Sequence, residues 1–185
     1  MPRQTRYLAL LRGINVGGKN IISKDDLRQC FEGMGFSAVR TYIQSGNILF
    51  QSTQSSVAEL TAAIEARLSG RFKYNAQAVV IARGRYKSAV AAAPSGWGKD
   101  EQQKHNAMFM LRGVTPKRIL AQLPKLKPDI ESVATGPGVI FWSASISDLT
   151  KTTMVKLAKE PVYQQMTVRN HNTVFKLLEL LEDMK

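Results

Sequence analysis

The chain has 185 residues and an apolar content of 44%, the composition of a soluble globular protein with no sign of disorder and with room for one full domain or two small ones. Its 26 lysines and arginines against 14 acids give a net charge of +12, so the expected partners are anionic: nucleic acid, a nucleotide or a phosphorylated metabolite. One cysteine, Cys30, excludes an intrachain disulfide, and no apolar run approaches the ~18 residues of a membrane span, so a cytoplasmic protein is expected.

Arg6–Arg12 is an apolar run with no room for two helical turns before Gly13, and reads as a buried strand. Ser23 then caps a helix with Asp25 and Asp26 in its first turn, Leu27, Cys30, Phe31 and Met34 on one side, and Gly35 as its stop. "AVRTYIQSGNILFQS" alternates Val39, Thr41 and Ile43 against Arg40, Tyr42 and Gln44, turns at Ser45-Gly46-Asn47 and resumes with Ile48, a β-hairpin. Val57, Leu60, Ile64 and Leu68 form the stripe of a second helix ending near Gly70. "AQAVVIAR" is a short strand, and a helix from Tyr86 to Ala93 stops at Pro94. "PSGWGKDEQQK" is the only long polar, glycine-rich stretch and marks a boundary.

The order of elements then repeats. "NAMFMLRG" is a strand and "TPKRILAQLPKL" a helix with Pro116 in its first turn. "IESVAT" and "VIFWSAS" form a hairpin through Gly136-Pro137-Gly138, "TKTTMVKLAKE" is a helix stopped by Pro161, and "MTVRN" is a last strand. "TVFKLLELLEDMK" closes the chain as a helix with Val174, Leu177, Leu178 and Leu181 inward, capped by Asn172 or Thr173. "ALLRGI" opens the first half as "FMLRGV" opens the second. The expected fold is α+β: two ferredoxin-like α/β plaits over residues 1–97 and 98–185, each βαββαβ plus a helix, from an internal duplication and packed as one compact unit.

"LLRGINVGGKN" matches G-x-x-x-x-G-K of a phosphate-binding loop as far as Lys19. The next residue is Asn20, where that loop needs Ser or Thr for magnesium, and "NIIS" intervenes before the helix begins, so nucleotide hydrolysis of that kind is excluded. A glycine turn flanked by Arg12 and Lys19 remains, suited to a phosphate or carboxylate or serving only to turn the chain. Tyr42, Gln44, Ser45 and Asn47 gather polar donors at a neighbouring strand end. In the second half Lys104, His105 and Asn106 enter the first strand, and Arg169, Asn170, His171 and Asn172 leave the last. Both histidines of the chain lie in these clusters, and imidazole is the usual proton carrier near neutral pH. Neither a G-x-S-x-G elbow nor a metal-ligand spacing is present, so no metal and no cofactor is expected and no catalytic residue is assigned.

The first expectation is therefore a protein, an enzyme or a binding protein, that takes an anionic or phosphorylated small ligand in a cleft. The candidate residues are Arg12, Asn15, Lys19, Asn20, Tyr42, Gln44, Ser45 and Asn47, with His105, Asn106, Arg169 and Asn170 from the second half. One alternative is a nucleic-acid-binding module using distributed charge, with Tyr7 and Phe50 as its aromatics, though the RNA-binding plait signature is missing. Another is a structural or interaction domain.

"YLALLRGINVGGKN", "GFSAVRTYIQSGNILF", "KHN" and "TVRNHNTVFKL" together resemble the bacterial family catalogued as domain of unknown function 1697, over essentially the whole chain. The resemblance implies a two-plait α/β architecture and a cytoplasmic protein, and supplies no reaction. Family members usually look like R-N-W-N-T near the C-terminus; here His171 stands at the tryptophan position.

Overall fold

The structure is a computed structural model that describes residues 4–15, 18, 20–44 and 46–185. Its described residues form two compact units, residues 1–86 with 177–185, and residues 87–176. These limits differ from a boundary at 97/98. The closing residues belong to the first unit, where Glu182 pairs with Arg83 at 3.0 Å and its carbonyl accepts from Arg6 at 3.3 Å.

The first unit runs β1 (Thr5–Arg12), α1 (Lys24–Glu32), β2 (Ser37–Tyr42), β3 (Asn47–Ser52), α2 (Val57–Phe72) and β4 (Gln77–Ala82). Its sheet has the order β2-β3-β1-β4, with every neighbouring pair antiparallel, which is the plait topology. Tyr7, Ala9, Leu11, Ile48, Phe50, Ala78 and Val80 meet Leu27, Cys30, Phe31, Leu60, Ile64 and Leu68 of the two helices in one core. Leu8, Leu10 and Leu49, on the other sheet face, are buried as well, which explains why β1 reads as an unbroken apolar run. Ser23 and Ser56 cap α1 and α2, accepting from the amides of Asp26 and Glu59.

The second unit contains β5 (Gln103–Met110), α4 (Pro116–Leu120), β6 (Glu131–Gly136), β7 (Val139–Ser145), α5 (Thr153–Leu157) and β8 (Met166–Asn170). The sheet order β6-β7-β5-β8 repeats that of the first unit, again antiparallel throughout, as a duplicated plait requires. In both units a helix follows the fourth strand without a loop: α3 (Arg83–Ala91) after β4 and α6 (His171–Asp183) after β8. Near the end of the first strand, the carbonyl of a hairpin glycine accepts a backbone amide in each unit, Leu11 to Gly46 at 2.8 Å and Met110 to Gly138 at 3.0 Å. Gly13 and Gly113 both take a positive φ in the shared L-R-G.

Several elements differ from their expected form. Helix α2 passes through Gly70 and stops at Lys73 in the left-handed region, because Phe72 still packs against the core. Helix α4 has only five residues; Pro124 follows closely and cannot continue it. The expected helix before Pro161 splits into a 3-10 helix (Ile146–Lys151) and the short α5. The cause is Glu131, buried at the start of β6, whose carboxylate takes the amide of Thr153 at 2.9 and 3.1 Å and the indole N–H of Trp142 at 2.9 Å. Burial alone would push the Glu131 carboxyl up, but these donors and the Lys127 amide hold it below its ordinary value. Ile43 does not continue β2 toward the helices: it is exposed, with φ 47°.

Gly46 sits at φ +70°, and an added Cβ would lie 2.8 Å from Leu11 Cβ and from Ile14 Cδ1. Gly46→Ala should lower stability by about 2 kcal/mol or more in urea unfolding, since strain and overlap coincide. Gly138→Ala, with open space around it at φ +71°, should cost only the conformational share, about 1 kcal/mol. Equal losses at the two positions would contradict this packing of the first hairpin.

Candidate functional site

The first-unit motif is held by its own asparagines. Asn15, at φ 52°, donates its side-chain amide to the carbonyls of Ile22 (3.0 Å) and Gln44 (2.6 Å), and its Oδ1 accepts from the Ile22 amide at 2.9 Å. Asn20 donates to the Gly13 carbonyl at 2.8 Å, and the Asn15 amide donates to the Asn20 carbonyl at 3.2 Å. Asn47 is buried and donates to the Tyr42 carbonyl at 3.1 Å, which closes the hairpin turn. The bond from Asn15 to Gln44 thus joins the two motifs. These three side-chain amides are spent on backbone carbonyls rather than offered to a ligand. Arg12 and Tyr42 are half-buried, Gln44 is exposed, and Lys19 and Ser45 lie outside the described residues.

The second unit contains a cavity of about 590 Å³. One side is the strap between α3 and β5, contributing Gly98, Lys99, Asp100 and Glu101. The others are Lys104 and His105 at the start of β5, Ile146 and Leu149 of the 3-10 helix, and Asn170, His171 and Asn172 where β8 becomes α6. The position of the α6 start follows from Asn170, whose Oδ1 accepts the Thr173 amide at 2.9 Å and caps the helix. The cap is therefore Asn170, not Asn172 or Thr173. Antiparallel pairing sets Asn170 beside Asn106, so the helix start lies one residue along β5 from His105.

His105 is 3% exposed and bonded on both ring nitrogens, Nδ1 to Ser143 Oγ at 2.8 Å and Nε2 to the Asp100 carbonyl at 3.3 Å. A carbonyl only accepts, which assigns the proton to Nε2 and leaves Nδ1 to accept from the Ser143 hydroxyl. His171 stands with its ring centroid 5.5 Å from that of His105, at an interplanar angle of 86°. Its Nδ1 is buried and has no hydrogen-bond partner among the described residues. Trp97 meets both imidazoles edge-on, and Gly98 at φ +80° packs so close that a Cβ would come within 3.2 Å of the His171 ring.

Arg169 lies on the same sheet face as His105, buried, with Nη1 donating to Thr167 Oγ1 and the Val168 carbonyl at 2.8 Å each. Asn106 lies on the opposite face and outside the cavity lining. The strap residues are what the sequence motifs miss: a polar, glycine-rich stretch reads as a boundary and carries no sign of the strands it folds against. Tyr7 and Phe50, the candidate stacking pair, are stacked on each other inside the first core, with centroids 5.5 Å apart and planes inclined by 24°, unavailable to bases. Among the described residues no group of three or more His, Cys, Asp or Glu is placed to hold a metal ion, and no helix is long and apolar enough to cross a membrane.

The model of a family described as "Protein of unknown function (DUF1697)" matches residues 4–141. The chain belongs to that family. The match spans the first plait and most of the second sheet but ends before β8 and α6, which supply Asn170, His171 and Asn172. A solved structure, the conserved bacterial protein SP0830 from Streptococcus pneumoniae, is 31% identical, with a TM-score of 0.87 over 97% of this chain and 99% of that one. The duplicated architecture is therefore shared end to end. No curated protein matches the chain in sequence.

Burial pushes the His105 imidazole below its ordinary value, the neighbouring His171 adds to that, and the Asp100 carbonyl opposes it. The unfolded chain then takes up this proton first as pH falls. Stability from a neutral His105 is fully present above about pH 6.5 and declines as pH drops toward the lowered folded value. Urea unfolding should show this decline, and His105→Gln should flatten it; an unchanged slope in the variant would contradict the burial argument. Asn15→Ala should cost about 2 kcal/mol, since three bonds are lost and the part-buried carbonyl and amide of Ile22 are left without their partner; a neutral result would free Asn15 for another role.

Proposed function

We propose that this DUF1697 protein binds a small anionic ligand, a phosphorylated or carboxylate compound, in the cavity of its second unit. The convergence of the α6 N-terminus with Lys99, Lys104 and both imidazoles on one space of about 590 Å³ carries this reading. The first amides of a helix have no intrahelical acceptor and lie at the positive end of its dipole. Asn170 takes the Thr173 amide, and the amides of His171 and Asn172, at the same helix start on the cavity wall, are the ones this reading offers to a ligand. A phosphate oxygen is the acceptor such a pair suits best. Asp100 and Glu101 on the strap bound the charge of the site and favour a compact anion over a polyanion such as nucleic acid.

Titration with inorganic phosphate, followed by amide NMR, should shift the signals of His171, Asn172 and the strap. Lys99→Ala and Lys104→Ala should each weaken binding about fivefold, roughly 1 kcal/mol per exposed charge contact. Shifts confined to the Gly13–Asn20 loop would return the site to the first unit, and no shift anywhere would overturn the reading.

A further inference from the structure

We propose that anion capture in this cavity is proton-linked: the ligand binds together with a proton taken up by the His105–His171 pair. The inference rests on the functional reading above and adds how the site is regulated.

The geometry places the chain's two imidazoles 5.5 Å apart on one cavity. Two positive charges at that separation repel strongly in a partly buried site. What normally relieves such a pair is a carboxylate bonded to one ring, and none is present among the described residues. Asp100 touches His105 through its backbone carbonyl, while its Oδ1 accepts the Gln102 amide at 2.9 Å. Among the described residues Nδ1 of His171 has no hydrogen-bond partner.

The other charges around the pair come from each packed element. The strap brings Lys99, Asp100 and Glu101, β5 brings Lys104, and β8 brings Arg169 on the face of His105. The 3-10 helix presents Ile146 and Leu149, with its Asp148 held by Lys151 at 2.8 Å. The Asp100 charge favours a protonated His105, but among the described residues no carboxylate is bonded to either ring. An anion seated at the α6 start adds negative charge beside the rings, and the pair then holds a proton that it otherwise releases. His105 can accommodate it without losing a bond: Ser143 Oγ turns from donor to acceptor at Nδ1, and the Asp100 carbonyl keeps Nε2.

Sulfate is the clean probe, because its charge does not change across the range in which histidine titrates, and the chain has only two histidines. Calorimetric titration in buffers of different ionisation enthalpy should show affinity about tenfold higher near pH 5.5 than near pH 8, with uptake peaking at about half a proton per sulfate between them. His171→Gln, at a half-buried ring, should abolish most of the pH dependence while Lys99 and Lys104 still hold the anion. His105→Gln, checked for folding by its amide spectrum, should do the same. Sulfate binding of equal strength at both pH values, or proton uptake unchanged in both variants, would overturn the proton link and leave anion binding standing. No response to sulfate at either pH would overturn both.

Discussion

The second unit depends on a junction that has no loop. At Asn170 an antiparallel strand becomes a helix within one residue, and the same side chain that ends the strand caps the helix by accepting the Thr173 amide. A strand held in register by β5 therefore fixes where α6 begins. The helix starts beside His105, and Asn170, His171 and Asn172 line the cavity there. A longer connection would let the helix start drift, and the imidazoles would lose their fixed separation.

The strap is then drawn onto this framework by contacts that only a short glycine-rich segment can make. Gly98, at positive φ, leaves a Cβ only 2.8 Å from the Phe175 ring and 3.2 Å from that of His171, Trp97 inserts its indole edge-on between the histidines and Phe141, and the Asp100 carbonyl fixes the His105 tautomer. Glu131 does similar work on the opposite side of the sheet. By binding the Thr153 amide it breaks a potential helix and leaves the preceding 3-10 turn, which carries Ile146 and Leu149 to the cavity wall. Both devices satisfy buried polar groups through side chains, which fixes geometry more firmly than apolar packing alone.

The fold was legible because periodicity carries it. Val57, Leu60, Ile64 and Leu68 mark a helix, the apolar runs of β1 and β7 mark buried strands, and the repeated order of elements gives the duplication. Helix lengths in the second unit were not legible, since they turn on Glu131, a lone acid whose burial no local pattern reveals. The candidate site was half legible. Clusters around His105 and Asn170 stand at strand ends in sequence and in space, and the structure brings His171 and Asn172 of the same run to the cavity wall. Asn15, Asn20 and Asn47 show the limit: an asparagine amide serves a ligand or a nearby carbonyl equally well, and only the fold decides that these three close turns. The strap escaped because its residues carry no periodicity and acquire meaning only against β5 and α6.

The most direct measurement is anomalous diffraction from crystals soaked in selenate, an oxyanion with an unambiguous scatterer. A peak at the start of α6, within hydrogen-bonding reach of the His171 and Asn172 amides, is the result this account predicts. Peaks confined to exposed lysines or to the Gly13–Asn20 loop, with the second-unit cavity empty, would contradict it.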